Sequence, residues 1–280
     1  MNKLNPEIMR KKLADAAKER KLRMPQVQLL LAQERFLARL GTMKEGKLFI
    51  WKGGSLVLRK YSPLTPPRFT VDIDLLSLGI KIAAVNEVFQ RACAIDLEDG
   101  FVFSGITTTP MERDTPYGGE RFEIGWTFSK KPQSEPLRID VCAGDDVDPL
   151  RASSDELFIF SEMGQAITFL VYPAEYIFAE KLETVVRFRT GNTRLKDFID
   201  LWGLIQLKPD QQKTASAIKR CFARRKTPLN PEQWKKILGD QLFIETMDKF
   251  RERKYSQLEL PETARMFSEI VTFLTKLPGF

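Results

Sequence analysis

FIWKGGSL (residues 49–56) and RFTVDIDL (residues 68–75) are the two stretches that decide the fold. In the first, a short strand over residues 48–51 runs into the Gly53-Gly54 turn, and a short helix follows. The backbone N–H groups of such a turn can hold phosphate oxygens, to which Ser55 adds a hydroxyl and Lys52 a positive charge. Alone, Gly-Gly-Ser is also typical of an ordinary tight turn. In the second stretch, residues 69–76 alternate and end apolar, which predicts a strand.

Asp72 and Asp74 are two residues apart in this strand, so their side chains leave the same face. At 4 Å and an effective dielectric constant of about 20, two carboxylates repel by roughly 4 kcal/mol. A divalent cation would offset that repulsion, and oxygen ligands indicate Mg²⁺ or Mn²⁺. The alternative is a strand end whose aspartates face solvent or pair with Arg68.

A third carboxylate would complete a site for two cations, and Asp140 is the best candidate. It lies within the apolar strand 137–142, where an unpaired aspartate is costly. Its competitors are the aspartates of the following turn, which favours this residue type for backbone reasons alone. They are Asp145, Asp146 and Asp148.

Helical segments flank this core on both sides. Residues 5–44 predict two helices divided near Pro25, and nearly everything after Pro173 is helical in pattern. Between them we expect a helix over 82–93 and strands near 101–107, 121–128 and 137–142. The predicted fold class is therefore α+β. Its domains are a helical N-terminal flank (1–45), a small mixed-sheet α/β core (46–160) and a helical C-terminal domain (161–280).

Composition restricts the chemistry. The 280 residues include no histidine, which excludes Ser-His and Cys-His nucleophiles and nearly all catalytic zinc designs. The three cysteines are far apart, so they form neither a disulfide framework nor a zinc site. Without an apolar run of about 18 residues or a secretion signal, the expected compartment is the cytoplasm.

The net charge of +7 is unevenly distributed along the chain. Residues 1–45 carry a net +6, residues 46–180 a net −7 and residues 181–280 a net +8. An acidic middle between basic flanks suits a metal-binding core with arms that hold a polyanion. The alternative is that these basic surfaces bind nothing.

A second group of charged residues lies on two C-terminal helices. Lys181 is set among apolar residues, and Asp197 and Asp200 share one helix face because they are three residues apart. Such residues are typical of solvated helix faces. The functional alternative is that Lys181 reaches a triphosphate while Asp197 orients a lysine or the attacking group.

Four motifs together resemble the AbiEii/AbiGii toxin family, a bacterial branch of the polymerase-β-like nucleotidyltransferase superfamily. They occur in order over roughly residues 30–205. They are residues 49–56, residues 68–75, Ala179-Glu180-Lys181-Leu182 and residues 194–201. The 16 residues between Ser55 and Asp72 are longer than the tight spacing of that superfamily, and this stretch contains three prolines.

The resemblance implies that Asp72 and Asp74 bind the metal ions and that Lys181 and Asp197 support catalysis. It also implies nucleotide contacts from the turn and its neighbours, namely Lys52, Gly53, Gly54, Ser55 and Arg68. Members of this kind transfer nucleotides from an NTP, some of them to the 3′ end of tRNA, which blocks translation. Many are encoded beside a winged-helix antitoxin.

The sequence therefore predicts a Mg²⁺-dependent nucleotidyltransferase toxin that modifies RNA, with tRNA as the expected acceptor. One rival keeps the chemistry and changes the acceptor to a protein or a small molecule. Another is a non-catalytic nucleic-acid-binding protein. The basic flanks favour RNA over a small cationic molecule, and the intact aspartate pair favours an enzyme.

Overall fold

The structure, a computed structural model, describes residues 6–61, 69–111, 118–133, 135–144, 153–156, 168–188, 196–256 and 258–280. Its contacts divide the chain into two compact units. The first contains the described residues up to Lys60 and those from Phe69 to Tyr172. The second contains Tyr61 and the described residues from Pro173 to Phe280.

The first unit combines helices with one mixed sheet. Its helices are α1 (Pro6–Glu19), α2 (Met24–Thr42), the short α3 (Gly53–Leu56) and α4 (Ile82–Cys93). A 3-10 turn (Lys44–Leu48) precedes β1, and a π-helical turn (Val57–Tyr61) follows α3. The strands are β1 (Phe49–Lys52), β2 (Asp72–Ser77), β3 (Phe101–Pro110), β4 (Gly119–Phe128), β5 (Lys131–Pro132), β6 (Leu137–Ala143), β7 (Ser153–Glu156) and β8 (Thr168–Val171).

The strand order is β3-β4-β6-β2-β1-β8-β7, with β5 paired to β4. β2 runs antiparallel to β1 and parallel to β6, and β1 runs parallel to β8. β4 runs antiparallel to both β3 and β6. The α+β fold class and the mixed sheet predicted from the sequence are therefore confirmed.

One face of this sheet is apolar because every second residue of its central strands is a large hydrophobic one. Helices α2 and α4 cover that face. The Phe89 ring of α4 lies 5.3 Å from the ring of Phe36 on α2, 5.8 Å from Phe49 on β1 and 4.9 Å from Phe122 on β4. The opposite face is left to the alternate, mostly polar residues of the same strands.

The second unit is helical. Its helices are α5 (Ala174–Phe188), α6 (Lys196–Gln206), α7 (Gln211–Arg224), α8 (Pro231–Leu238), α9 (Gln241–Tyr255) and α10 (Thr263–Thr275). Aromatic residues form its core, where the Phe198 ring lies 5.2 Å from both Phe243 and Phe267. Among the described residues, no helix of either unit is long and apolar enough to cross a membrane.

Candidate active site

Four charged residues form a transverse row across the polar face of the sheet. Lys52 on β1 lies opposite Asp74 on β2, and Asp74 lies opposite Asp140 on β6. On the other side, Asp140 lies opposite Arg121 on β4. Residues opposite each other in neighbouring strands point to the same face. Across the row, the charges are therefore positive, negative, negative and positive.

Asp72 lies on the same face, one row further along. It is opposite Arg138 of β6, whose Nε donates a 2.9 Å hydrogen bond to Glu123 Oε1 on β4. Asp72 and Asp74 are both half-buried, while Ile73 between them is fully buried on the apolar face. The structure therefore brings three of the predicted carboxylates, Asp72, Asp74 and Asp140, to one face of the central strands.

Gly53 lets the turn approach the Asp74 carboxylate. A Cβ atom added at Gly53 would lie 1.9 Å from Asp74 Oδ2 and 2.7 Å from Asp74 Cβ. The residue also has φ of +70°, which favours glycine. Both the space and the backbone conformation therefore require glycine here, and the turn lies directly against the Asp74 side chain of β2.

Ser55 and Lys52 both have partners inside the protein. Ser55 is fully buried, and its Oγ accepts a 2.8 Å hydrogen bond from the Trp51 indole N–H. Lys52 is 4% exposed, and its Nζ lies 5.0 Å from the centroid of the Tyr172 ring. Their predicted contacts with the nucleotide stay predictions. Since a serine Oγ has two lone pairs and one proton, the hydroxyl of Ser55 can still donate.

Polar residues of α2 position the turn and β2, and sequence reasoning missed them. Gln33 Nε2 donates a 2.9 Å hydrogen bond to the carbonyl of Val71, the residue before Asp72. Arg59, in the π-helical turn after α3, lies 3.4 Å from Glu34 Oε1 and donates to Gln33 Oε1. Burial lowers the pKa of Arg59. In the sequence, the only sign of this role is that charged residues interrupt the otherwise apolar segment that forms α2.

Arg121 forms an ion pair with Asp140 at one end of the row. Its Nε and Nη2 donate to Asp140 Oδ1 and Oδ2 at 2.7 and 2.8 Å, a bidentate arrangement. The hydrogen bonds to Asp140, together with the charges of Asp140, Asp72 and Asp74, raise the pKa of Arg121 above its usual value. The sequence analysis did not single out Arg121, because its position depends on the pairing of β4 with β6.

Asp72 and Asp74 have the chemistry that the predicted divalent cation needs. Both offer hard oxygen donors from one strand face. Among the described residues, no three Asp, Glu or Cys side chains are grouped so that they could hold a metal ion. Asp72 and Asp74 therefore offer two carboxylates to a cation, and Asp140 as a third ligand stays a prediction. Arg68 and the competing aspartates Asp145, Asp146 and Asp148 lie outside the described residues.

In the second unit, Lys181 bridges two aspartates. Its Nζ lies 2.8 Å from Asp197 Oδ1 and 2.7 Å from Asp200 Oδ2. The side chains are nearly buried, with 11% of Lys181, 2% of Asp197 and 4% of Asp200 exposed. These residues therefore do not form a solvated helix face. Asp200 is as close to the lysine as Asp197, although the sequence analysis assigned a role only to Asp197.

Next to this bridge, Glu183 binds residues that follow α7. The Glu183 side chain is fully buried, and it accepts hydrogen bonds from Arg225 at 2.9 Å and from Thr227. Arg225 also lies 3.4 Å from Glu180. Of the neighbouring basic residues, Arg224 and Lys226 are exposed. Arg225 is therefore held by acidic partners, whereas Arg224 and Lys226 face solvent.

Comparison with known proteins adds an independent result. The family model described as "Nucleotidyl transferase AbiEii toxin, Type IV TA system" matches residues 35–276. No curated protein matches the chain. Among solved structures, MenT4, a nucleotidyltransferase toxin from Mycobacterium tuberculosis H37Rv, is 17% identical with a TM-score of 0.56, over 95% of this chain and 90% of that one. JHP933 from Helicobacter pylori is 14% identical with a TM-score of 0.54, over 90% and 94%.

Proposed function

The chain belongs to the AbiEii family of nucleotidyltransferase toxins, which are the toxins of type IV toxin–antitoxin systems, and we propose that it transfers a nucleotide from an NTP to RNA, with tRNA as the acceptor. The observation that carries the proposal is the placement of Asp72 and Asp74 on one face of β2, with the Gly53 turn directly against the Asp74 carboxylate. Nucleotidyl transfer needs a phosphate-holding turn beside a carboxylate pair, because the chemistry consists mainly of positioning and charge neutralisation.

In the proposed reaction, a hydroxyl of the acceptor attacks the α-phosphate of the NTP, and pyrophosphate leaves. Asp72 and Asp74 would hold Mg²⁺ or Mn²⁺, which when bound neutralises the negative charge of the phosphates. The backbone N–H groups of Gly53 and Gly54 hold phosphate oxygens. Lys52, opposite Asp74, contributes a fixed positive charge on the same face.

We also propose a role in catalysis for Lys181, on α5. Its ammonium is held by Asp197 and Asp200 at hydrogen-bonding distance, so it is fixed in direction before substrate binds. A lysine fixed in this way can place one positive charge against a phosphate without ordering a flexible side chain at the moment of reaction. Asp197 and Asp200 are then positioning residues for Lys181.

RNA is the proposed acceptor because exposed basic residues recur on α1 and α7 and in the turns that follow these helices. On α1 and the turn after it, Arg10, Lys11, Lys18 and Lys21 are exposed. Around α7 the exposed residues are Lys213, Lys219, Arg224 and Lys226. Lysine and arginine side chains bind the phosphate backbone without regard to sequence. We further propose a cognate antitoxin with a winged-helix domain as the partner in the cell.

The test incubates the purified full-length protein with each labelled NTP and total tRNA, with Mg²⁺ or with a chelator. The wild type should label tRNA only with the cation present. Asp72→Asn and Asp74→Asn should abolish labelling, because each removes one of the two carboxylates that hold the cation; the thermal midpoint shows that each variant is folded. Asp96→Asn, an exposed aspartate in the loop after α4, is the matched control and should label tRNA as the wild type does.

Two results would contradict the proposal in different ways. Transfer retained by Asp72→Asn or Asp74→Asn would show that the pair does not hold the cation. Labelling of a protein or a small molecule in place of tRNA would leave the chemistry intact and make the acceptor assignment wrong.

A further inference from the structure

The central row of the polar face places two carboxylates directly beside each other. Asp74 and Asp140 lie directly opposite each other on β2 and β6, and Asp72 is one row away on the same face. Neighbouring strands are only about 4.8 Å apart, so like charges placed opposite each other destabilise the pair. A fixed positive group beside Asp140 removes part of that cost.

Arg121 is that group, and its geometry is specific. It uses Nε and Nη2 to bind both oxygens of Asp140, so neither carboxylate oxygen is left without an N–H donor. The Asp140 side chain is 10% exposed, whereas that of Arg121 is 40% exposed. The arginine therefore covers the carboxylate from the solvent side. Bidentate pairs of this kind are about twice as strong as neutral hydrogen bonds and fix the orientation of both groups.

We propose that Arg121 determines how many carboxylates the divalent cation receives: it keeps Asp140 bound to itself, so that Asp72 and Asp74 are the protein ligands. Arg121 is in this sense a positioning residue. The inference rests on the cation site of the proposed function, but it concerns a residue that the proposed reaction does not use. It also assigns Asp140 to Arg121 instead of to the cation.

The consequence for cation binding has a definite sign. In the wild type, Arg121 and Asp140 together add no net charge to the site. Removing only the arginine charge releases a carboxylate opposite Asp74, and affinity for hard cations rises with the number of charged oxygen ligands. Removing both charges leaves a neutral pair that supplies no third carboxylate. The affinity for the cation should therefore return to that of the wild type.

The experiment titrates the full-length protein with Mn²⁺ without nucleotide and follows the free ion by electron paramagnetic resonance. Arg121→Gln should bind Mn²⁺ about tenfold more tightly, which corresponds to about 1.4 kcal/mol. The double variant Arg121→Gln/Asp140→Asn should bind within about twofold of the wild type, a difference of about 0.4 kcal/mol. Arg91→Gln is the matched control, because this exposed arginine pairs with Glu45 at 3.0 Å and belongs to α4, on the other face.

The two variants make the result decisive even if one of them folds poorly. Thermal midpoints measured in the presence of a chelator identify a variant that does not fold. If Arg121→Gln does not fold, the charge-neutral double variant alone tests the inference. An Arg121→Gln protein that binds Mn²⁺ no better than the wild type overturns the inference. So does a double variant that binds about tenfold more weakly, because Asp140 would then be a ligand in the wild type.

Failure of the proposed function would look different. If Asp72→Asn binds Mn²⁺ as the wild type does, the cation does not lie at the carboxylate pair, and the proposed function is wrong. If Asp72→Asn loses Mn²⁺ while Arg121→Gln is unchanged, only the inference on Arg121 is wrong.

Discussion

Replacing Gly53 with alanine should abolish most of the activity at a small cost in stability. The new Cβ would lie 1.9 Å from Asp74 Oδ2, and ordinary contacts begin near 3.4 Å. The carboxylate oxygen must therefore move by about 1.5 Å, and since even Asp74 Cβ is only 2.7 Å away, rotation of the carboxylate alone cannot relieve the contact. A misplacement of about 1 Å at a reacting centre can cost about a hundredfold in rate.

The expected loss of transfer is therefore about a hundredfold, or about 2.7 kcal/mol in the activation barrier. The expected loss of stability is separate and smaller, because an alanine at positive φ costs about 1–2 kcal/mol. Nucleotide incorporation measures the first quantity and urea unfolding the second. The stability cost should be visible without any substrate or cation.

Gly105 provides the matched control. Its φ of +67° is nearly that of Gly53, and a Cβ added there would meet no atom within 4 Å. Gly105→Ala should therefore show the backbone cost alone, with full transfer. If both variants retain transfer equally, or lose it equally, the contact between Gly53 and Asp74 does not position the carboxylate and the reasoning is wrong.

Two further predictions concern Lys181 and the basic residues near α7. Lys181→Ala should reduce transfer at least about tenfold. It should also destabilise the protein by about 3–5 kcal/mol, because two nearly buried aspartates lose the lysine ammonium that they share. If the folded variant keeps activity within about twofold of the wild type, Lys181 has no catalytic role. Replacing Arg224 and Lys226 together by alanine should reduce the magnitude of the slope of log RNA affinity against log salt by roughly 1.5 and leave the KM for NTP unchanged. If filter binding gives an unchanged slope, neither residue contacts RNA.

Local patterns were sufficient to predict most elements of the fold. The helix predicted over 82–93 is α4, and the strands predicted near 101–107, 121–128 and 137–142 are β3, β4 and β6 with slightly different ends. In each of these segments the apolar residues recur at the spacing of a helix or a strand, because those residues are the ones that the element buries. β7 and β8 were not predicted. Each has four residues, too few for a period, and neither runs into a Gly-Gly turn as the equally short β1 does. The pairing of β8 with β1 also joins segments far apart in the sequence.

The candidate site divides in the same way. That Asp72 and Asp74 share a face follows from a period of two within one strand. That Arg121 meets Asp140 depends on the register between two strands, which no local pattern specifies. The buried charges of α2 are a third case. Its apolar residues predicted a helix, but which of its polar residues would be buried depends on Arg59 and Val71 being brought to it.

The pairing of β1 also has a consequence for synthesis. β1 is paired with β2 soon after it leaves the ribosome, but its other partner, β8, is made only at Thr168–Val171. Until then the apolar strand Phe49–Lys52 presents open N–H and C=O groups, which invite pairing with another chain. A nascent chain, or a fragment ended at residue 160, would therefore expose an unpaired strand edge that favours aggregation. The hydrogen bond from Tyr172 N to the Trp51 carbonyl marks the point at which this edge is finally covered.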